Sequence, residues 1–134
     1  FRSLPRCQTV RAAKLLVQIG GARGRFPTDA SLAALAGACP SPRQSGRHHV
    51  VTCRWACDNK LRAALMDFAG DSRKASPLAA ATYNRHIADN KTHQHATRIL
   101  ARAWVRLIWR CWQDRVAYHP ALHGGAQQHL THAA

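Results

Sequence analysis

The stretch from about Thr92 to Gln113 constrains the fold more than any other part of the chain. Its apolar residues recur at the i, i+3, i+4 and i+7 spacing of a helix without a lapse. These residues are Leu100, Ala103, Trp104, Leu107, Ile108, Cys111 and Trp112. Because so wide an apolar face has to be covered by other elements, the sequence predicts a long closing helix packed against a helical domain.

Four shorter segments also carry helical signals. They run from Val10 to about Ile19, from Thr28 to about Ala36, from Asp58 or Asn59 to about Ala69, and from Ser76 to about Ala88. In the first segment Val10, Ala13, Leu16 and Val17 follow helical spacing, with Thr9 placed to cap the helix. The expected fold is therefore all-α, with about five helices, and a short extended piece at His48 to Cys53.

The chain of 134 residues is long enough for one compact domain. We expect residues 1–122 to form that domain and residues 123–134, which are rich in glycine, glutamine and histidine, to be a flexible tail. No apolar run approaches the roughly 20 residues that span a bilayer. Five cysteines, an odd number scattered along the chain, argue against a disulfide framework and favour a reducing cytoplasm.

The charge of the chain points to a polyanionic partner. Twenty basic residues face six acidic ones, giving a net charge of +14, and every acid is an aspartate. Sixteen of the basic residues are arginine, whose planar fork suits phosphate. A GC-rich genome would also raise the arginine content, but it does not explain the absence of glutamate. Nucleic acid is therefore the expected partner.

A row of arginines on the closing helix is a candidate surface for nucleic acid. Arg98, Arg102, Arg106 and Arg110 are four residues apart, and no acid lies between Asp89 and Asp114. Each like-charge step costs about 0.2–0.5 kcal/mol, which an external anion would relieve. A solvated arginine face is the alternative. An amphipathic helix that lies on a membrane surface is a further alternative for the same segment.

The segment from Gly37 to His49 has two prolines and several glycines and serines, so we expect an exposed loop. Within it, Ser45 lies beside the flexible Gly46 and between Arg43 and Arg47. A small hydroxyl residue flanked by cations fits a nucleophile that attacks a phosphodiester. The alternative is a solvated turn.

Motifs spread from about Leu4 to Pro120 resemble the C-terminal domain of one transposase family. The motifs are Gln18-Ile19-Gly20, Arg25-Phe26-Pro27, Leu32 to Gly37, Arg43-Gln44-Ser45-Gly46, Asn59 to Leu65, Ala103-Trp104, Ile108-Trp109 and Tyr118-His119-Pro120. The family comprises bacterial insertion-sequence transposases that are related to the pilin-gene invertase. They pair an N-terminal RuvC-like DEDD nuclease domain with a C-terminal serine-bearing domain.

The resemblance implies a recombinase in which Ser45 is the nucleophile that joins covalently to DNA. It further implies a RuvC-like domain elsewhere in a longer protein, with acidic ligands for a divalent metal such as Mg²⁺, and a structured guide RNA. The full-length protein is then expected to form a homo-oligomer, and this fragment would not act alone.

Two departures from the family pattern suggest the alternative that this chain is a degenerate, inactive copy. The start resembles the second half of a helix-hairpin-helix, in which a Gly-x-Gly turn lets backbone amides approach a DNA phosphate. Neither glycine is present in Pro5-Arg6-Cys7-Gln8-Thr9. Asp58 stands where the family usually has glycine. A module that only grips guide RNA and DNA is therefore the alternative function.

The residues themselves indicate how the chemistry would be shared. Arg43 and Arg47 would neutralise charge on the attacked phosphate, while Lys60 and Arg62 would hold the flanking strand. Gly46 would permit close approach of the strand, and Arg98, Arg102 and Arg106 would extend the nucleic-acid surface. His48 and His49 are candidates for the general base, which stays unassigned. No metal site is predicted within this chain.

Overall fold

The computed structural model describes residues 1–45, 48–53 and 56–120, with backbone alone for 40–45 and 48–53. The helices are α1 (Thr9–Ile19), α2 (Asp29–Leu35), α3 (Asn59–Ser72), α4 (Pro77–Ala88) and α5 (His93–Asp114). A 3₁₀ turn spans Arg23–Arg25, and two strands, β1 (Pro40–Ser45) and β2 (His48–Cys53), lie between α2 and α3. The expected tail at 123–134 lies outside the described residues.

The helical fold is confirmed, and α5 lies at its centre. This helix contacts α2, α3 and α4. Trp104 is fully buried, its ring meets Phe68 edge-on at 5.3 Å, and its indole nitrogen donates to the Ser72 hydroxyl at 2.9 Å. Because the apolar face of α5 forms the core, it is not available to a membrane surface. None of the described helices is long and apolar enough to cross a bilayer.

The segment predicted as a loop contains a β-hairpin. Strand β1 pairs antiparallel with β2, from Pro40 opposite Cys53 to Ser45 opposite His48. The extended piece expected at His48 to Cys53 is confirmed as β2, whereas the loop expected at Pro40–Ser45 is wrong. Prolines are compatible with this strand because each strand of a two-stranded sheet is an edge, where an amide hydrogen can be missing from the ladder.

The helix starts follow local capping chemistry. Thr28 and Ser31 form a capping box at α2, Ser76 accepts from the Ala79 amide at α4, and Thr92 accepts from the His95 amide at α5. These hydrogen bonds satisfy amides that have no partner within the helix. The prediction for Thr9 is wrong, since Thr9 is the first residue of α1 and no side chain caps that helix.

The buried face of α1 differs from the predicted one. Ala12, Leu15 and Ile19 point into the core, whereas Val10 and Val17 are 68% and 75% exposed. Apolar residues occur nearly all round this helix, so two stripes satisfy the 3.6-residue period equally well. Packing against α3 selects the stripe that contains Leu15.

Helix α3 extends past Ala69, the approximate end expected from the sequence, and continues through Gly70 to Ser72. A Cβ built on Gly70 would lie 3.9 Å from Cγ2 of Thr97 on α5. Gly70 therefore lies inside the helix beside α5, and glycine is tolerated there without ending the helix.

Candidate nucleic-acid interface

The hairpin root comprises Gly37 and Ala38 before β1 and Cys57 and Asp58 after β2. Its position is fixed by the end of α2. Gly37 has φ of +66°, and its amide donates to the Ala34 carbonyl, while the Ala38 amide donates to the Ala33 carbonyl at 2.9 Å. This pair of bonds is a Schellman motif, which ends the helix on a left-handed residue. A Cβ at Gly37 would lie 2.9 Å from the Cys57 sulfur. Only glycine fits there without displacing the start of α3.

Asp58 joins the other side of the hairpin to the same root. Its amide donates to the Leu35 carbonyl at 2.7 Å, which ties α3 to the end of α2. Its carboxylate accepts from the amides of Lys60 and Leu61 at 2.9 and 3.1 Å. This confirms Asp58 as the N-cap. It also means that a carboxylate already occupies the amides to which a phosphate would bind, while the Lys60 side chain is exposed.

Arg62 of α3 and Arg98 of α5 line one cleft at this root. The cleft has a volume of about 330 Å³, and Gly37, Leu65, Met66 and Gln94 are among its other lining residues. Both arginines are half-buried. The structure thus brings together two cations that the sequence placed 36 positions apart. Gln94 was not predicted, although it lies one turn before Arg98 on the same helix.

All six aspartates of the chain lie in the described part, and each one is engaged. Asp58 caps α3, and the ion pairs are Asp29 with Arg102 and Arg106, Asp67 with Arg11, Asp71 with Arg6, Arg11 and Lys74, Asp89 with Lys91, and Asp114 with Arg110. Three cations hold the pKa of Asp71 well below its usual range. Arg62, Arg98 and Lys60 have no carboxylate partner among the described residues.

The arginine row on α5 is less free than expected. Asp29 of α2 accepts from Arg102 at 2.9 Å and lies 3.6 Å from Arg106, and Asp114 lies 2.7 Å from Arg110. The expectation that no acid relieves the row is wrong, because Asp29 of another helix pairs with Arg102 and Arg106, and Asp114 at the end of α5 pairs with Arg110. Within the row, Arg98 alone keeps its charge unpaired among the described residues.

Ser45 is the last residue of β1, and its backbone pairs with that of His48. Arg43 lies two residues earlier on the same strand, paired with Val50. The side chains of Ser45 and Arg43, like Gly46 and Arg47 as whole residues, lie outside the described residues. Ser45 is thus the last described residue before the two positions that separate the strands in the sequence.

The start of α1 keeps one feature of the expected helix-hairpin-helix. Arg6 has φ of +55°, so the backbone takes the left-handed conformation although the residue is not glycine. The amides at the start of α1 have no side-chain cap, and Arg6, Arg11 and Lys14 line a cleft of about 470 Å³ beside them. Arg6 and Arg11 are paired with Asp71, whereas Lys14 has no carboxylate partner among the described residues.

Metal ligands are not gathered within the described part of the chain. No group of three histidine, cysteine or aspartate side chains is placed there to hold an ion. The aspartates lie apart and are engaged with cations or amides, so this donor set does not fit a Mg²⁺ site. No step of the chemistry is therefore assigned to a metal held by the described residues.

Comparison of the sequence with known proteins identifies its family. The sequence model described as "Transposase IS116/IS110/IS902 family" matches residues 1–84. The chain belongs to this transposase family. It is 34% identical over 113 residues to the "Mini-circle putative transposase for IS117" of Streptomyces coelicolor, which covers 84% of the chain and 27% of that protein.

Two further relatives agree with this family. The IS900 uncharacterized 42 kDa protein of Mycobacterium paratuberculosis is 32% identical over 120 residues, covering 89% of the chain and 30% of the relative. The IS110 uncharacterized 43.6 kDa protein of Streptomyces coelicolor is 30% identical over 126 residues, covering 93% and 31%. The chain therefore spans less than a third of these transposase-family relatives. No solved structure matches it.

Proposed function

We propose that this chain is the DNA strand-transfer domain of an insertion-sequence transposase and that Ser45 is its nucleophile. The observation that carries the proposal is the family membership over residues 1–84, a range that includes the hairpin and the start of α3. The backbone supports it, because Ser45 ends a strand whose root is tied to α2 and α3 by the Gly37 cap and the Asp58 amide. A hydroxyl on a hairpin anchored in this way suits attack on an extended polymer.

In the proposed step, the Ser45 hydroxyl oxygen attacks a backbone phosphorus and forms a phosphoserine ester. The bond from phosphorus to one bridging oxygen of the DNA breaks, and that oxygen takes up a proton. The serine proton passes to a base that is not assigned, with His48 and His49 as the candidates in this chain. Reversal of the same exchange onto another strand end releases the serine, so no oxidant or reductant is needed.

The cations have separate parts in this proposal. Arg43 and Arg47 offset charge at the attacked phosphate, and Gly46 leaves room for the backbone. Lys60, Arg62 and Arg98 hold the flanking strand. Arg102 and Arg106 contribute less, because Asp29 already pairs with them. The rest of the machinery is proposed to include a RuvC-like domain with Mg²⁺, a structured guide RNA and a homo-oligomer, acting on DNA in the cytoplasm.

Replacing the nucleophile in the full-length transposase tests the proposal. Ser45→Ala should abolish strand exchange and the covalent protein–DNA adduct while DNA binding is kept. Ser41→Ala, on the same strand, is the matched control and should keep both activities. Exchange by the Ser45→Ala protein at the wild-type rate would overturn the proposal.

A module that grips nucleic acid without chemistry is the second candidate. It is favoured by Asp58, whose carboxylate occupies the first amides of α3 where the family usually has glycine. In that case the Ser45→Ala and wild-type proteins bind DNA equally, and neither forms an adduct. Asp58→Gly would then restore neither exchange nor adduct formation.

A further inference from the structure

We propose that the cleft between α3 and α5 holds one unpaired nucleotide of the DNA strand, with its base inside and its phosphate on Arg62 and Arg98. This inference rests on the proposed function, since it concerns the strand that would reach Ser45. It goes further, because it assigns a nucleotide-binding role to residues other than the nucleophile.

The cleft is lined by two positive charges, which favour the binding of an anion. Arg62 and Arg98 approach from different helices and line the same space. All six aspartates lie in the described part of the chain, yet none is within ion-pair distance of either arginine. Two half-buried arginines that line one cleft repel each other, and an anion between them would offset that repulsion. A phosphate accepts from both forks at once, which is the geometry that arginine recognises best.

The walls of the cleft suit a flat, weakly polar group. Small residues, Ala36, Ala38 and Ala101, leave its floor open, and Leu65 and Met66 provide apolar side chains. A methionine sulfur makes favourable contacts with aromatic rings, and an arginine plane stacks on a base. The Gln94 amide can both donate to a base edge and accept from it. The combination of apolar floor, amide and two guanidinium groups fits a nucleotide better than a bare phosphate.

The size of the cleft excludes a duplex. Its volume of about 330 Å³ is at the lower end of the 300–1,000 Å³ range of small-ligand pockets. A base therefore has to leave the stack to enter, which costs a few kcal/mol in paired DNA and little in a single strand. The cleft should consequently favour single-stranded over double-stranded DNA.

The cleft also lies next to the hairpin root. Gly37 is one of its lining residues, and a Cβ on Gly37 would be 3.3 Å from Cδ of Arg62. From Gly37 the chain continues directly to β1, which ends at Ser45. A nucleotide held in the cleft would fix the register of the strand relative to the hairpin.

Binding of the 134-residue chain to three fluorescent probes tests the inference. The probes are a 12-nucleotide single strand, the same strand made entirely of abasic sites, and the 12-base-pair duplex. The intact strand should bind about tenfold more tightly than the abasic strand, the amount expected for one stacked base. Gln94→Ala, which removes the amide proposed to meet the base edge, should lower that preference, whereas Arg98→Ala, which removes a phosphate contact, should weaken binding of the intact and abasic strands alike. Lys14→Ala is the charge-matched control, and it should weaken the binding of all three probes by the same small factor.

A second variant separates recognition from folding. Arg98→Lys keeps the charge and most of the side-chain stem but loses the planar fork that binds the phosphate, so it should weaken binding of the intact and abasic strands alike at an unchanged melting temperature. Equal binding of intact and abasic strands by the wild-type chain would overturn the inference. Tighter binding of the same sequence as RNA than as DNA would overturn the assignment to the DNA strand.

The Ser45→Ala chain distinguishes this inference from the proposed function. It should keep the full preference for the intact strand, because the residues proposed to bind the base and the phosphate, Arg62, Gln94 and Arg98, are unchanged. If Ser45→Ala abolishes the adduct in the full-length protein but wild type shows no preference, the cleft inference fails alone. If the preference is present and Ser45→Ala still recombines, the nucleophile proposal fails alone.

Discussion

Gly37 shows how one residue determines the position of a whole hairpin. Its left-handed backbone ends α2, and the space above its Cα is filled by Cys57 and the stem of Arg62. The sequence predicted that Gly37 ends the helix, because glycine is the usual residue at that position. The contact with Cys57 could not be predicted, since it depends on where the chain returns twenty residues later.

Gly37→Ala should lower the free energy of unfolding by about 1–3 kcal/mol, through the strained φ and the clash with Cys57. Gly24→Ala is the control, because no atom lies within 4 Å of the point that its new Cβ would occupy and its φ is not in the left-handed range. Urea unfolding of both variants measures the difference. Equal midpoints would show that the root of the hairpin is not packed as described.

His86 is a buried histidine that sequence periodicity did not single out. It is fully buried on α4, and its Nε2 atom has no hydrogen-bond partner among the described residues. Burial lowers the pKa of His86, and the positive charges of Lys91, Arg85 and His95 act in the same direction against Asp89. Burial therefore favours the neutral form of its imidazole in the folded chain.

This pKa shift makes stability depend on pH. The unfolded chain takes up a proton on His86 near the ordinary pKa of about 6.5, while the folded chain does not. The free energy of unfolding should therefore fall as pH drops below that value toward the lower pKa of the folded state. The melting temperature should fall less between pH 7.5 and pH 5 in His86→Gln than in wild type. His119→Gln, at an exposed position, should follow wild type.

At the scale of the element, strongly one-sided helices were predictable and ambiguous ones were not. The apolar face of α5 could be read from spacing because its opposite face is polar, whereas α1 is apolar on two sides. Only one strand of the hairpin was predicted. Strand β2 ends in apolar and β-branched residues, which favour a strand, whereas the prolines and serines of β1 indicated a loop. The pairing of Asp29 with Arg102 and Arg106 required the three-dimensional packing of α2 on α5.

The two sides of α1 give a direct comparison. Leu15→Ala removes a fully buried side chain and should cost about 2–5 kcal/mol of unfolding free energy. Val17→Ala, at a position that is 75% exposed, should change it by less than about 0.5 kcal/mol. Thermal and urea unfolding of the two variants measure this. A larger loss for Val17→Ala would show that the sequence-predicted face of α1 is the buried one.

Releasing the arginine row tests the role of Asp29. Asp29→Asn should leave Arg102 and Arg106 free for phosphates and make the plot of log affinity against log salt steeper by about 1–2. The partly exposed ion pairs that it removes are worth only about 0.2–1 kcal/mol each. Asp67→Asn changes the net charge equally but frees no residue on α5, so its slope should match wild type. Identical slopes for the two variants would place the row away from DNA.

At the scale of the whole molecule, five of the six aspartates pair with cations, and Arg62 and Arg98 at the cleft have no carboxylate partner among the described residues. Composition predicted a polyanionic partner, and the family membership agrees with a transposase. Which cations stay unpaired could not be read from the sequence, because Asp29, Asp67 and Asp71 meet arginines 56 to 77 positions away. Local spacing does not record such contacts.

The central claim is that Ser45 bonds to DNA, and mapping the attachment site tests it most directly. The full-length transposase is trapped on its DNA substrate and digested with protease and nuclease, and the nucleotide-bearing peptide is sequenced by mass spectrometry. The predicted peptide carries its nucleotide on Ser45 and is missing from the Ser45→Ala protein. A nucleotide on any other residue, or an adduct that persists in Ser45→Ala, would contradict the claim.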